Sequence, residues 1–499
     1  MAPYSDGSPQ ASQWPIAPGH FFDYEIHPDV GEAGTYFYHS HIGFQEVTAS
    51  GPLIVKSCKK EPYDYDEDII VNLQDYYNKT DKTIETGLLA NPFKWSGETN
   101  AILFNGQSGK AQTSNASSSS CLPHRINVDP DRTYRIRFIG MGAISLVTLG
   151  FENHKNLTII EADGSFTKEA NVDHLQIAPG QRFSLLFKTK TLSELQSLNK
   201  TNFWIKYENR DRPANVSGYA ILSYNTGGYS NPTEPIVLPE SEPLKLPRTI
   251  NDWLEYTLTP FDNTSNPFPP ASSVSRTVVI TVQQKSNGTL QWAQNNNIWK
   301  EHNISVPYLT DIYRRGEAAI PDYEAALKNY GWDPKSFAYP AKIGEVIDIV
   351  WENNNGPSGG WDIHPFHAHG RHYWDLGSGN GTYNAAANNA KLEALYKESG
   401  WTPALRDTTM QYRYASSGVP NTTAGWRAWR VVASEPGVWM MHCHIFAHRI
   451  MGMQTAWVFG NASEITSRAP QPYISGYLDY GGSAYGNATY DPLVNHYFA

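Results

Sequence analysis

Three short segments of this 499-residue chain concentrate side chains able to bind a metal ion. They are YHSHIG with His39 and His41, WDIHPFHAHG with His364, His367 and His369, and MHCHIFAHRIMGM with His442, Cys443, His444, His448 and Met453. On an extended strand residues two apart point the same way, so each His-x-His pair can aim two imidazoles at one locus. One such pair is an ordinary finding. Three pairs, one with a cysteine inside it, select a late transition metal, whose preferred ligands are imidazole and thiolate. The combination points to copper.

Alternation also divides the third segment. His442 and His444 face one side of their strand and Cys443 the other, so a thiolate-bound ion and an imidazole-bound cluster would share one backbone segment. Electrons could cross between them over about 10 Å, from strand and peptide dimensions. The cysteine side has the composition of a blue-copper centre: one thiolate, two imidazoles and a weak axial thioether. Cys443, His448 and Met453 lie close together in sequence, and His364 is the best-placed second imidazole.

The elements that must hold these groups read as strands. Short β-favouring runs broken by Gly, Pro, Asn and Asp dominate, among them GTYFYHSHIGF, YRIRFIG, NLTIIEADG, EVIDIVWENN and MQTAWVFG. Their number and spacing predict antiparallel sandwich or small-barrel domains. Helices are expected in DIYRRGEAAIPDYEAALKNY and NAAANNAKLEALYKESG. Polar segments place one boundary near 60 to 70 and another in the Pro-rich stretch SNPTEPIVLPESEPLKLPRT. Two similar phrases, QWPIAPGHFFDYEI at 14 to 27 and HLQIAPGQRFSLLF at 174 to 187, suggest related hairpins in successive domains.

Composition limits the function classes. At 499 residues, with 40% hydrophobic and 18% charged residues, the chain is globular and large enough for two or three domains. A formal charge of -10 disfavours nucleic acid or an anionic membrane as the main partner. There is no apolar run long enough for a membrane span, and the N-terminus lacks the basic start and apolar core of a signal peptide. Asn-x-Ser/Thr acceptors at Asn78, Asn115, Asn156, Asn199, Asn215, Asn263, Asn287, Asn303, Asn380, Asn421, Asn461 and Asn487 nevertheless predict a secreted glycoprotein. Of the three cysteines, Cys443 is occupied by the metal reading, which leaves Cys58 and Cys121 as the candidate disulfide pair.

HSH, HPFHAHG and HCHIFAHRIMGM resemble the second, third and fourth copper motifs of the multicopper oxidases, the family of laccases and ascorbate oxidases. The similarity runs over essentially the whole chain and includes GPLIV after the second motif and IIEADG in the middle. It implies an all-β chain of three cupredoxin-like Greek-key sandwich or barrel domains, assigned here to 1–62, 63–232 and 233–499. It also implies four coppers in a complete enzyme. By matched motifs His364, Cys443, His448 and Met453 correspond to the type 1 site, and His367 to a type 2 ligand. His41, His369 and His442 match one type 3 copper, and His39 and His444 match two of three ligands of the other.

The family's first motif, His-Trp-His-Gly, has no counterpart here. In relatives it comes shortly before the phrase that here reads YSDGSPQASQWPI, so its histidines are expected upstream of Met1, in a longer natural chain with a signal peptide. The roughly 60 residues before the first boundary are too few for a whole sandwich of about 100 residues, which fits that expectation. Asp6 resembles an acidic residue that lies near the type 2 copper in relatives and could relay protons or orient bound water. Glu161 and Asp163 are expected at a strand end and turn, Tyr373 and Trp374 in packing or at a rim, and Arg371 and His372 outside the ligand set.

The resemblance implies a secreted monomer that takes electrons singly from a diphenol or similar organic reductant and passes four to dioxygen, yielding water. Ascorbate oxidation, ferroxidation and a non-catalytic electron-transfer role stand as alternatives.

Overall fold

A computed structural model of the protein describes residues 3–26, 28, 31–109, 122–226, 239, 241–300, 306–356, 362–414, 418–467, 476–487 and 489. Strands dominate, as the alternating runs predict. Helices also contribute, including Tyr308–Arg315, Tyr323–Leu327 and the 15-residue Ala385–Ser399, so the architecture is mostly β rather than all-β. Ala385–Ser399 starts where the Asn384 side chain accepts from the Ala387 amide and stops at Gly400 in the left-handed conformation.

Four large sheets carry the molecule. In the middle of the chain a six-stranded sheet has Thr133–Gly140 and Arg182–Lys188 at its centre, and its five-stranded partner is built around Leu146–Phe151 and Asn202–Arg210. Their facing sides make one apolar core, with Phe138, Leu149, Leu185 and Ile205 wholly buried. In the C-terminal part Val346–Asn354 and Thr423–Val432 are central to a second six-stranded sheet. Its partner has the order Ala338–Ala341, Gln454–Phe459, Gly437–Cys443, His364–Ala368, Thr408–Gln411. Every sheet is open, with two edge strands, so the closed-barrel alternative does not hold. The N-terminal part contributes the hairpin Gly34–His39 and Ser50–Val55, whose connection contains the short 3-10 turn Gln45–Val47.

Gly437–Cys443 is buried at every position because both of its faces are covered. Trp439, Met441 and Cys443 enter the main C-terminal core with Trp351, Phe366 and Trp429. Val438 and Met440 enter a second core with Tyr4, Ala11 and Phe22 from the N-terminal part. His442 continues that second row. The strand is thus clamped from both sides before any metal is considered.

The two APG phrases do not form equivalent hairpins. The later one gives Leu175–Ile177 and Arg182–Lys188, which join different sheets. The earlier one forms only the two-residue strand His20–Phe21 against Gly486–Asn487. Half of the Pro-rich stretch from 230 to 249 lies outside the described residues, as does Cys121. The expected Cys58–Cys121 pairing therefore falls outside them too, and no disulfide occurs among the described residues. Among those residues no helix is long and apolar enough to cross a membrane.

Candidate metal centre

Antiparallel pairing of His364–Ala368 with Gly437–Cys443 places Phe366 opposite Cys443 and His367 opposite His442. Alternation then sends His364 to the side of Cys443, and His367 to the side of His442. The short helix Phe446–Ile450 follows and returns His448 to the cysteine. At Gly452 φ is 113°, and a Cβ there would lie 2.6 Å from Ile298 Cγ2, so the turn that delivers Met453 requires glycine.

The first cluster is His364, Cys443 and His448, all buried. The two Nδ1 atoms are 3.1 Å apart, and the Cys443 Sγ lies 3.8 Å from that of His364 and 3.7 Å from that of His448. Met453 is fully buried, and its backbone bonds both partners: Cys443 N–H donates to its carbonyl at 3.2 Å and its own N–H donates to His448 O at 2.9 Å. Trp292 packs against both imidazoles, with ring centroids 4.8 and 4.7 Å away. Burial pushes the Cys443 thiol well up and the imidazoles down, so all three groups rest neutral. A bound cation reverses this preference for the thiol.

The second cluster is His41, His369 and His442. Their Nε2 atoms converge: that of His442 lies 3.2 Å from His41 Nε2 and 3.1 Å from His369 Nε2. The outer nitrogens are turned to protein atoms. His442 Nδ1 donates to Cys443 O at 2.9 Å, and His369 Nδ1 to Asp6 and Ser8, each at 3.0 Å. This leaves the Nε2 lone pairs of His442 and His369 free to bind a cation. Asp6 is buried, which would raise its pKa, yet the His369 charge and hydrogen bond hold it below the ordinary carboxylate range.

The third cluster is His39, Glu46 and His444. His39 Nδ1 is 3.0 Å from Glu46 Oε1, and His444 Nε2 is 3.6 Å from the same oxygen. His367 sits between the clusters, its ring 5.0 Å from His369 and 5.6 Å from both His442 and His444. Its Nδ1 faces Asp407 O at 3.0 Å and Thr408 Oγ1 at 2.9 Å.

The donor chemistry fits copper. One site offers thiolate with two imidazoles, and the other gathers six imidazoles from three strands and their flanks. His364 Nε2 and His444 Nδ1 are buried, without a hydrogen-bond partner among the described residues.

Sequence profiles described as multicopper oxidase match residues 1–60, 67–227 and 301–463. The chain is 53% identical to multicopper oxidase aurL2 of Gibberella zeae, over all of this chain and 84% of that one. The chain belongs to the multicopper oxidase family. It is 50% identical to multicopper oxidase terE of Aspergillus terreus, over all of this chain and 96% of that protein. At 45% it resembles laccase-like multicopper oxidase 1 of Thermothelomyces thermophilus, over all of this chain and 83% of the relative. Among solved structures, Fet3p, a multicopper oxidase that functions in iron import, superposes with a TM-score of 0.71 at 23% identity, over 99% of this chain and 87% of that one. The laccase from Botrytis aclada does so with a TM-score of 0.64 at 23% identity, over 93% of this chain and 76% of the other. These likenesses, with the profiles, give three cupredoxin-like domains.

Several residues of this multicopper oxidase site are not conspicuous in the sequence. Glu46 and Arg449 are buried beside the histidines and form an ion pair at 3.1 Å. Asp362 Oδ2 lies 3.5 Å from His448 Nε2 and 2.9 Å from Arg212 Nη1, while Arg212 also pairs with Glu98 at 2.7 Å. Two positions before His364, Asp362 was detectable from the period of the strand. Asp407, in LRDTT, has no such neighbour. Other residues serve packing or ion pairing. Tyr373 is buried and stacks on Trp429 at 3.9 Å, Glu161 pairs with Arg135, and Asp163 with Arg406. Arg371 pairs with Glu435, and His20 reaches only Pro18 O, whereas His27 lies outside the described residues.

Proposed function

We propose that His364, Cys443, His448 and Met453 hold a type 1 copper that accepts single electrons from a diphenol or related organic reductant. In the same reading His39, His41, His367, His369, His442 and His444 supply six of the eight imidazoles of a trinuclear copper cluster that reduces dioxygen to water. The observation that carries it is the strand Gly437–Cys443 and its continuation. Cys443 faces one donor cluster while the residues on either side of it, His442 and His444, belong to the other two. Copper supplies the one-electron chemistry at the first site and the four-electron chemistry at the second.

The chain's own groups do the rest. Cys443 provides a covalent path of a few bonds to His442 and His444. Asp6 and Ser8 fix the His369 ring, and Asp407 and Thr408 fix that of His367. The Asp6 carboxylate, charged and beside His369, is suited to orient water near the cluster and to relay protons that it first accepts from solvent. At the first site His448 is the imidazole beside Asp362. That carboxylate shares Arg212 with Glu98, so charge balance does not choose the donor, and the organic donor rests on the likeness to the laccase-like relative.

We assign the domains to 1–62, 63–232 and 233–499. We also assign a secreted glycoprotein: nine acceptor asparagines, Asn78, Asn156, Asn199, Asn215, Asn263, Asn287, Asn380, Asn421 and Asn461, are exposed, and Asn487 is half-buried. The test is oxygen uptake by copper-loaded protein with a diphenol, ascorbate or ferrous iron as donor. Diphenol-dependent uptake that Cys443→Ser abolishes supports the reading; uptake with ferrous iron alone contradicts the assigned donor class.

A further inference from the structure

Arg449 is wholly buried on the helix Phe446–Ile450, and apart from lying over the Phe446 ring its guanidinium is directed to the N-terminal part. Its Nη1 lies 2.8 Å from His41 Nδ1 and donates to His41 O at 3.0 Å. Its Nη2 donates to Gly43 O at 3.0 Å and pairs with Glu46 Oε2 at 3.1 Å. Glu46 is equally buried, and its other oxygen faces His39 Nδ1 at 3.0 Å and His444 Nε2 at 3.6 Å. A single cation from the C-terminal part therefore grips both ends of the His41–Glu46 loop of the N-terminal part. The carboxylate it grips turns to one imidazole from each side. Such a pair is costly to bury, and replacement by apolar side chains of similar volume is often neutral or stabilising, so stability alone does not account for it.

We propose that Glu46 and Arg449 are positioning residues that set His39 and His41 against His442 and His444, so that the trinuclear donor set is assembled across two parts of the chain. Glu46 Oε1 lies 3.0 Å from His39 Nδ1, which bonds the Ser40 carbonyl at 3.1 Å, so carboxylate charge and carbonyl together fix the Nδ1 side of the ring. Arg449 fixes the His41 backbone and ring together and keeps Glu46 in place. Neither residue is itself a ligand. The inference rests on the proposed copper-holding role of those histidines.

The test is copper retention by the full chain under a graded chelator, read separately for type 1 copper by its visible absorption and for total copper by metal analysis. Glu46→Gln and Arg449→Met each weaken the copper outside the type 1 site by about 10- to 100-fold, while type 1 absorption per chain is unchanged. Wild-type chelator curves for both variants, with only a lowered melting temperature, overturn the proposal. So does loss of copper in Glu46→Gln with full retention in Arg449→Met, which makes Glu46 a ligand. If a variant does not fold, a crystal structure of copper-loaded wild type decides: Glu46 at hydrogen-bond distance from His39 Nδ1 supports the proposal, and Glu46 bonded to copper or turned away contradicts it. Absence of bound copper from the wild-type histidines would instead overturn the underlying reading.

Discussion

At the scale of single residues, the thiol of Cys443 and its two imidazole neighbours are neutral because they are buried, and they lie within 3.8 Å of one another. Unligated, this is an unfavourable gathering of polar atoms, and a soft cation relieves it. Met453 is the fourth donor of the proposed type 1 site, and its backbone bonds both Cys443 and His448. Met453→Leu keeps volume and removes the weak axial thioether. The expected outcome is full type 1 copper with a raised reduction potential, measured by redox titration of the visible band; an unchanged potential would show that the sulfur makes no bond. These donors were legible in the sequence because period-two spacing carries them. Glu46, Arg449 and Asp407 were not, since a buried charge meets its partner only through tertiary packing.

Among the elements, the strands were readable from their β-branched runs, the helix near 308 from its period and that near 385 from its Ala, Leu, Lys and Glu content. Equivalence of the two APG phrases was not, because local sequence does not say which sheet a strand joins. The middle part also carries a built-in acid sensitivity. His154 is buried, with Nδ1 donating to Glu152 O at 2.7 Å and Nε2 accepting from Tyr224 Oη at 2.8 Å. Burial lowers its pKa to about 4. The unfolded chain binds a proton near pH 6.5 and the folded chain only near 4, so the stabilisation is complete above 6.5 and is lost as pH falls towards 4. The loss is about 3 kcal/mol. Denaturant midpoints of the apo protein across this range should fall with pH, and His154→Gln should flatten that fall.

For the whole molecule, the clusters exist only where separate parts of the chain meet, and the fastening is again ionic. Arg182 of the middle sheet makes two 2.6 Å bonds to Asp407, beside His367, and donates to Thr35 O of the N-terminal hairpin at 3.0 Å. One buried guanidinium thus ties three regions together. Removing it leaves Asp407 buried without its main partner, so Arg182→Met should destabilise the protein by about 3–5 kcal/mol. Thermal unfolding of the apo protein measures this; a change under about 1 kcal/mol would show the link to be dispensable. The residues that join the parts are ordinary charged positions when the sequence is read alone.

The most direct test of the central claim is an anomalous scattering map at the copper edge from crystals of copper-loaded protein. The account predicts one peak between Cys443 Sγ and the Nδ1 atoms of His364 and His448, and separate peaks where the His41, His369 and His442 Nε2 atoms converge and between His39 and His444. Copper absent from Cys443, or peaks confined to surface histidines, would contradict it.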